Sequence, residues 1–185
     1  MFNRALQRFC HSEHLSGGGA FSACPIVLAL VVNVDGLASD CMELKLTIEP
    51  HVAQRFGVKL FCSPDLEEET VIRYDTEQQA FVVDFENASN DRTLSYRCGR
   101  EVLKSGGLKQ TVPFALGDDQ VLELDIFVDR SVIEIFVNSE VCIVQRVYPM
   151  RPDSKEVRLF CEDGRIASIP TALCQPCGSH NLYGR

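Results

Sequence analysis

Val121-Leu122-Glu123-Leu124-Asp125-Ile126-Phe127-Val128-Asp129-Arg130-Ser131-Val132-Ile133-Glu134-Ile135-Phe136-Val137-Asn138 decides the fold class. Leu122, Leu124, Ile126 and Val128 fall on one side of an extended chain, and Glu123, Asp125 and Phe127 on the other. A period of two is the signature of a strand with one face buried. Asp129-Arg130-Ser131 interrupts the run and Val132 to Val137 returns it, so the stretch reads as an antiparallel hairpin. Asn138-Ser139-Glu140 supplies the next turn. A third strand, Val141 to Tyr148, is stopped by Pro149 and Pro152.

The same pattern extends in both directions. Glu43 to Glu49 sets Leu44, Leu46 and Ile48 against charges, and Pro50 ends the run. Phe56, Val58, Leu60 and Cys62 share a face before the Ser63-Pro64-Asp65 turn. Thr70 to Tyr74 and Ala80 to Phe85 read as a hairpin across residues 75–79. Residues 86–111 are polar and irregular, with a weak strand around Thr93 to Cys98. Glu156 to Cys161 and Arg165 to Ile169 are expected to form a last hairpin around Glu162-Asp163-Gly164. From residue 26 onward no stretch of helical length repeats every 3.6 residues, and no internal repeat occurs. The expected fold is all-β, a two-sheet antiparallel β-sandwich of jelly-roll or concanavalin-like type. Residues 1–24 form an irregular leader containing the Gly17-Gly18-Gly19 break, 25–176 the sandwich, and 177–185 a tail.

Composition narrows the function classes. The chain has 185 residues, 45% of them hydrophobic and 24% charged, which suits one domain with a real core. Its formal charge of -8 opposes nucleic-acid binding, and it has no basic run to hold a membrane surface. The apolar stretch Ala23 to Val32 is too short to cross a bilayer, which takes about 20 residues, and reads as a buried strand. Nine cysteines cannot all pair within one chain, and Cys62, Cys142 and Cys161 lie in apolar runs as small hydrophobes. Mostly reduced thiols in a cytoplasmic protein are therefore expected. Cys174-Gln-Pro-Cys177 lacks a second ligand pair and the four histidines are scattered, so no metal or other cofactor is expected.

From Leu124 to Asn138 the chain resembles the C-terminal module of glycoside hydrolase family 32, the invertases and other β-fructosidases. The similarity continues in order through Gln145-Arg146-Val147-Tyr148-Pro149 and the Glu156 to Gly164 segment. Upstream it takes in Phe56 to Leu60, Ser63-Pro64-Asp65, Thr70 to Tyr74 and Phe81 to Asp84. It covers roughly residues 40–170, and the Val128 to Phe136 core is its specific part. The resemblance implies two antiparallel sheets packed beside a propeller that carries the chemistry. Retaining glycosidases use two carboxylates about 5 Å apart. The family's motifs for them have no counterpart here: the sequence has no Trp, no Arg-Asp-Pro and no Glu-Cys, only the reversed Cys161-Glu162.

The expected role is therefore that of a non-catalytic accessory module, with a catalytic propeller domain or another copy of the chain as partner. A stand-alone module binding fructan or fructose is the alternative, and a truncated glycosidase with residual activity a third. Asp129, Arg130, Glu134 and Tyr148 are the candidate carbohydrate-binding residues. Carboxylates accept from sugar hydroxyls, a guanidinium donates to them in a fixed fork, and an aromatic ring covers a sugar's C–H face. The competing structural reading has Asp129 bonding turn backbone, Arg130 pairing with an acid, and Tyr148 packing at a strand end. Phe127, turned away from the leucine side of its strand, is a candidate anchor for a partner.

Overall fold

The computed structural model describes residues 20–28, 32–50, 52–98, 101–103, 107–117, 120–163 and 165–176. No helix occurs among them. Along the chain run β1 (Ala20–Leu28), β2 (Val32–Ala38), β3 (Cys41–Pro50), β4 (Arg55–Cys62), β5 (Thr70–Asp75), β6 (Ala80–Asp84) and β7 (Tyr96–Cys98). There follow β8 (Glu101–Leu103), β9 (Lys109–Pro113), β10 (Leu122–Asp129), β11 (Val132–Val137), β12 (Val141–Arg146), β13 (Glu156–Glu162) and β14 (Arg165–Pro176). The first sheet has the order β1-β14-β3-β10-β11-β12, and the second β2-β13-β4-β5-β6-β9. Within both, all neighbours are antiparallel. β7 and β8 form a small separate ribbon.

Register turns the alternation into a core. Leu44, Ile126, Ile135 and Ile143 stand in one cross-strand row of the first sheet. Val58, Ile72 and Val83 form a row of the second. These rows belong to one buried apolar cluster, so the two sheets face each other across it. The protein is a β-sandwich, as the sequence predicts.

Polar groups close the edges. From β9, at the edge of the second sheet, Gln110 Nε2 donates to the Val144 carbonyl at 3.2 Å and to Gln145 Oε1 on β12, the edge of the first. Near the other end of the β6–β9 pair, the Leu116 N–H donates to the buried Tyr74 hydroxyl at 3.1 Å. Asn138 bridges the β11–β12 turn to the start of β10: its Oδ1 accepts from the Glu123 N–H at 2.8 Å and its Nδ2 donates to the Val121 carbonyl at 2.9 Å.

Five details differ from the sequence reading. β13 and β14 are not a hairpin. Although few residues separate them, β13 pairs with β2 and β4 in the second sheet, and β14 with β1 and β3 in the first. The link at Asp163, with φ of 52°, carries the chain from one layer to the other. β14 also runs on to Pro176, past Ile169. β8 and β9 lie in the stretch read as irregular; β9 is an edge strand whose polar residues are held by pairing with β6. Cys142 is exposed, because the inward places of β12 fall to Ile143 and Gln145; Cys62 and Cys161 are buried as expected. β1 begins at Ala20, within the 1–24 segment. The histidines, Cys177 and Tyr183 lie outside the described residues.

Candidate functional site

At one end of the sandwich the β10–β11 turn meets the segment that follows β12. Asp129 pairs with Val132, which leaves Arg130 and Ser131 as a two-residue loop. Arg130 takes a φ of 52°, the left-handed region found at the first central position of hairpin turns that follow strand twist. Its N–H donates to the Asp40 carbonyl at 2.6 Å, and the Val147 N–H donates to the Ser131 carbonyl at 2.9 Å. These bonds tie the turn to the β2–β3 corner and to the Val147–Lys155 segment.

Between them lies a cleft of about 540 Å³, within the size range of ligand sites. Its walls include Asp40, Phe61, Arg130, Tyr148, Met150 and Lys155. Phe61 is buried and holds a φ of 52°, so two of the left-handed non-glycine residues line this one cleft. Backbone strain of this kind persists only where surrounding contacts impose it, and it gathers at binding sites.

Tyr148 is a rim ring with solid backing. It stacks on the buried Tyr96 at 5.7 Å between centroids, and Tyr96 meets Phe85 edge-on at 5.0 Å. Burial, followed by the neighbouring Tyr148, pushes the Tyr96 phenol above its ordinary pKa. The ring stack keeps Tyr148 in place while leaving it 36% exposed on the cleft wall.

The wall behind the rim depends on Glu68, which the sequence reading did not single out. Glu68 lies in the β4–β5 loop and is fully buried. Its Oε1 accepts from the N–H groups of Asn90 at 2.8 Å and Met150 at 2.9 Å. Its Oε2 accepts from the Arg151 N–H at 3.0 Å and the Ser154 hydroxyl at 2.6 Å. Burial by itself raises a carboxyl pKa, yet these bonds, that from Ser154 foremost, outweigh it and hold Glu68 below its ordinary value. Arg151 braces the same wall through Asp65 at 2.7 Å, Glu67 at 3.0 Å and Asp153 at 2.8 Å.

The charged groups of the cleft are unequal. Lys155 pairs with Asp40 at 3.6 Å, and Arg151 is shared among three acids. Arg130 has no carboxylate within ion-pairing distance among the described residues, and the Asp129 carboxylate makes no hydrogen bond to the turn backbone there. Asp40 is the single carboxylate among the cleft's described walls. A guanidinium without an ion pair among the described residues, a braced ring and apolar Met150 suit binding; paired acid–base chemistry needs a second acid.

The four candidates therefore divide. Arg130 and Tyr148 share the cleft. Asp129 and Glu134 lie instead on strand positions facing outward from the first sheet, with Glu134 in register between Phe127 and Val144.

A family model described as glycosyl hydrolases family 32 C terminal matches residues 22–172. The chain belongs to this family. Among solved structures it is similar to exo-inulinase from Aspergillus awamori, at 18% identity and a TM-score of 0.66, covering 86% of this chain and 29% of that one. Fructosyltransferase from A. japonicus gives 17% identity and a TM-score of 0.68, covering 85% of this chain and 26% of that one. Fructan 1-exohydrolase IIa from Cichorium intybus gives 14% and 0.64, covering 87% and 35%. At such identities the likeness establishes the fold. This family 32 module spans about a quarter to a third of the length of those proteins. A comparison with curated proteins finds no match.

Proposed function

We propose that the chain is a non-catalytic accessory module serving a propeller domain that acts on fructan or sucrose. The match of residues 22–172 to the C-terminal part of family 32 carries this reading. The cleft supports it, since its one described carboxylate is engaged by Lys155 and it offers binding groups rather than an acid pair. The test uses a family 32 propeller expressed without its own sandwich and verified as folded by circular dichroism. Added to this chain, it is expected to co-elute in size exclusion and to melt several degrees higher. Separate elution and an unchanged melting point would overturn the reading.

A second reading is a fructan-binding module, favoured by Arg130 and Tyr148 standing on one cleft. Calorimetry with levan, inulin and fructose is expected to show heat for at least one of them. Arg130→Gln and Tyr148→Ala should each weaken that binding about tenfold, through loss of a charged hydrogen bond and of a ring platform. Absence of heat with all three sugars removes this reading.

A further inference from the structure

The charge of the cleft runs against that of the chain. The protein carries a formal charge of -8, yet Arg130, Arg151 and Lys155 line the cleft against a single acid, Asp40, among the described walls. Arg151 is already held by Asp65, Glu67 and Asp153. The other two cations are less engaged. Lys155 stands 3.6 Å from the Asp40 carboxylate, too far for a hydrogen bond, and the two side chains are 44% and 52% exposed. An exposed pair of this kind holds weakly. Arg130 has no ion pair among the described residues.

Backbone bonds bring Arg130 and Lys155 to one corner. The Arg130 N–H donates to the Asp40 carbonyl at 2.6 Å, and the Ser39 N–H donates to the Lys155 carbonyl at 3.1 Å. The two cations therefore flank the β2–β3 turn, and main-chain contacts hold them there. The same cleft offers an apolar wall: the Tyr148 ring backed by Tyr96, the buried Phe61, and Met150. A neutral sugar supplies hydroxyls to such a site but no countercharge. A carboxylate or phosphate supplies one, and hydrogen bonds between charged partners are roughly twice as strong as those between neutral ones.

We infer that the cleft binds a small ring compound carrying one carboxylate or phosphate, the anion held by Arg130 and Lys155 and the ring laid on Tyr148. The inference rests on the fructan-binding reading only in taking the cleft as a ligand site; it differs in the charge of the ligand. The volume of about 540 Å³ suits a molecule of that size.

The test is calorimetry on the full chain in a phosphate-free buffer, with glucuronate, glucose 6-phosphate, glucose and inorganic phosphate as probes and levan, inulin and fructose beside them. Glucuronate or glucose 6-phosphate should bind at least about tenfold more tightly than both glucose and phosphate alone, and the two anions separate a carboxylate from a phosphate preference. Arg130→Gln and Tyr148→Ala should each weaken that binding about tenfold, and Lys155→Gln several-fold. Lys109→Gln removes a cation on β9, outside the cleft, and should leave it unchanged. Should Arg130→Gln fail to fold by circular dichroism, Lys155→Gln still decides. Heat with levan, inulin or fructose but no gain for either anion overturns this inference and leaves the fructan reading standing. Heat with none of the probes overturns both. Phosphate binding as tightly as glucose 6-phosphate, with no gain for glucuronate, means an adventitious ion only and overturns it too. So does an equal loss in Lys109→Gln and Arg130→Gln, which would make the attraction one of overall charge.

Discussion

Replacing Glu68 with alanine lowers the stability of the chain by about 4 kcal/mol and its melting temperature by about 10 °C. One fully buried carboxylate accepts from three backbone N–H groups and one hydroxyl, which come from residues 90, 150, 151 and 154. Alanine deletes the acceptor and leaves four donors without it at a part-buried site, with Ser154 the most enclosed of their residues. Each orphaned donor costs about 1–3 kcal/mol, reduced where the loop relaxes toward solvent. The relaxing loop is the wall behind Tyr148 and Met150, so the cleft that Arg130 lines should loosen along with stability. Thermal melts of the two proteins, followed by far-UV circular dichroism, measure the difference. A loss below about 1 kcal/mol would mean that the four bonds do not anchor the wall.

The acid limb follows from the same group. Hydrogen bonds hold Glu68 below its ordinary pKa of 4.5 in spite of burial. Asp75, 1% exposed, is likewise held below 3.8 by the Gln78 N–H and by Arg55, against the effect of burial. A carboxyl whose folded pKa lies below its unfolded one adds stability that is fully present above the unfolded value. That stability is lost as pH falls through the folded value. The chain should therefore weaken progressively as pH drops below about 4.5. Glu68→Gln removes one of the titrating groups, so its gap from wild type should narrow as the pH falls. Urea melts across the acid range check this; a gap independent of pH would assign the acid limb elsewhere.

What the sequence reveals is what it encodes locally. β10, β11 and β12 were legible as strands because alternation is a property of neighbouring residues, and the inward row read for β10 is the observed one. Sheet membership was not, because it depends on which distant strand is met. β13 and β14 look like a hairpin by spacing, yet they separate into two layers. β9 was missed for a related reason: an edge strand with exposed Lys109, Thr111 and Pro113 has half its pattern missing, and only β6 holds it extended. The site divides in the same way. Asp129, Arg130 and Glu134 stand together in sequence, but the pleat and the turn send them to two surfaces. Glu68 sits in the acidic run Glu67 to Glu69, which reads as solvated charge. Its role appears only when donors up to 86 residues away converge on it.

Gly57→Ala should cost about 3 kcal/mol or more, a drop of about 1 M or more in the urea midpoint. A methyl group at Gly57 would lie 2.1 Å from the Ile72 carbonyl oxygen and 2.9 Å from the Arg73 Cα. Both neighbours are backbone, so no side-chain rotation relieves the contact. β4 lies inside the second sheet, with Gly57 opposite Arg73 on β5 and Phe160 on β13. Moving β4 away from β5 therefore strains two ladders at once. Phe160, 2% exposed, and Lys59, whose ammonium lies 5.4 Å from that ring's centre, occupy the surroundings. Gly107→Ala provides the control. A methyl there meets nothing within 4 Å, so its effect should stay within about 0.5 kcal/mol. A composition effect of glycine on the unfolded chain would move both variants alike. Only the close approach of β4 and β5 separates them, and equal midpoints for the two variants would show that this approach is absent.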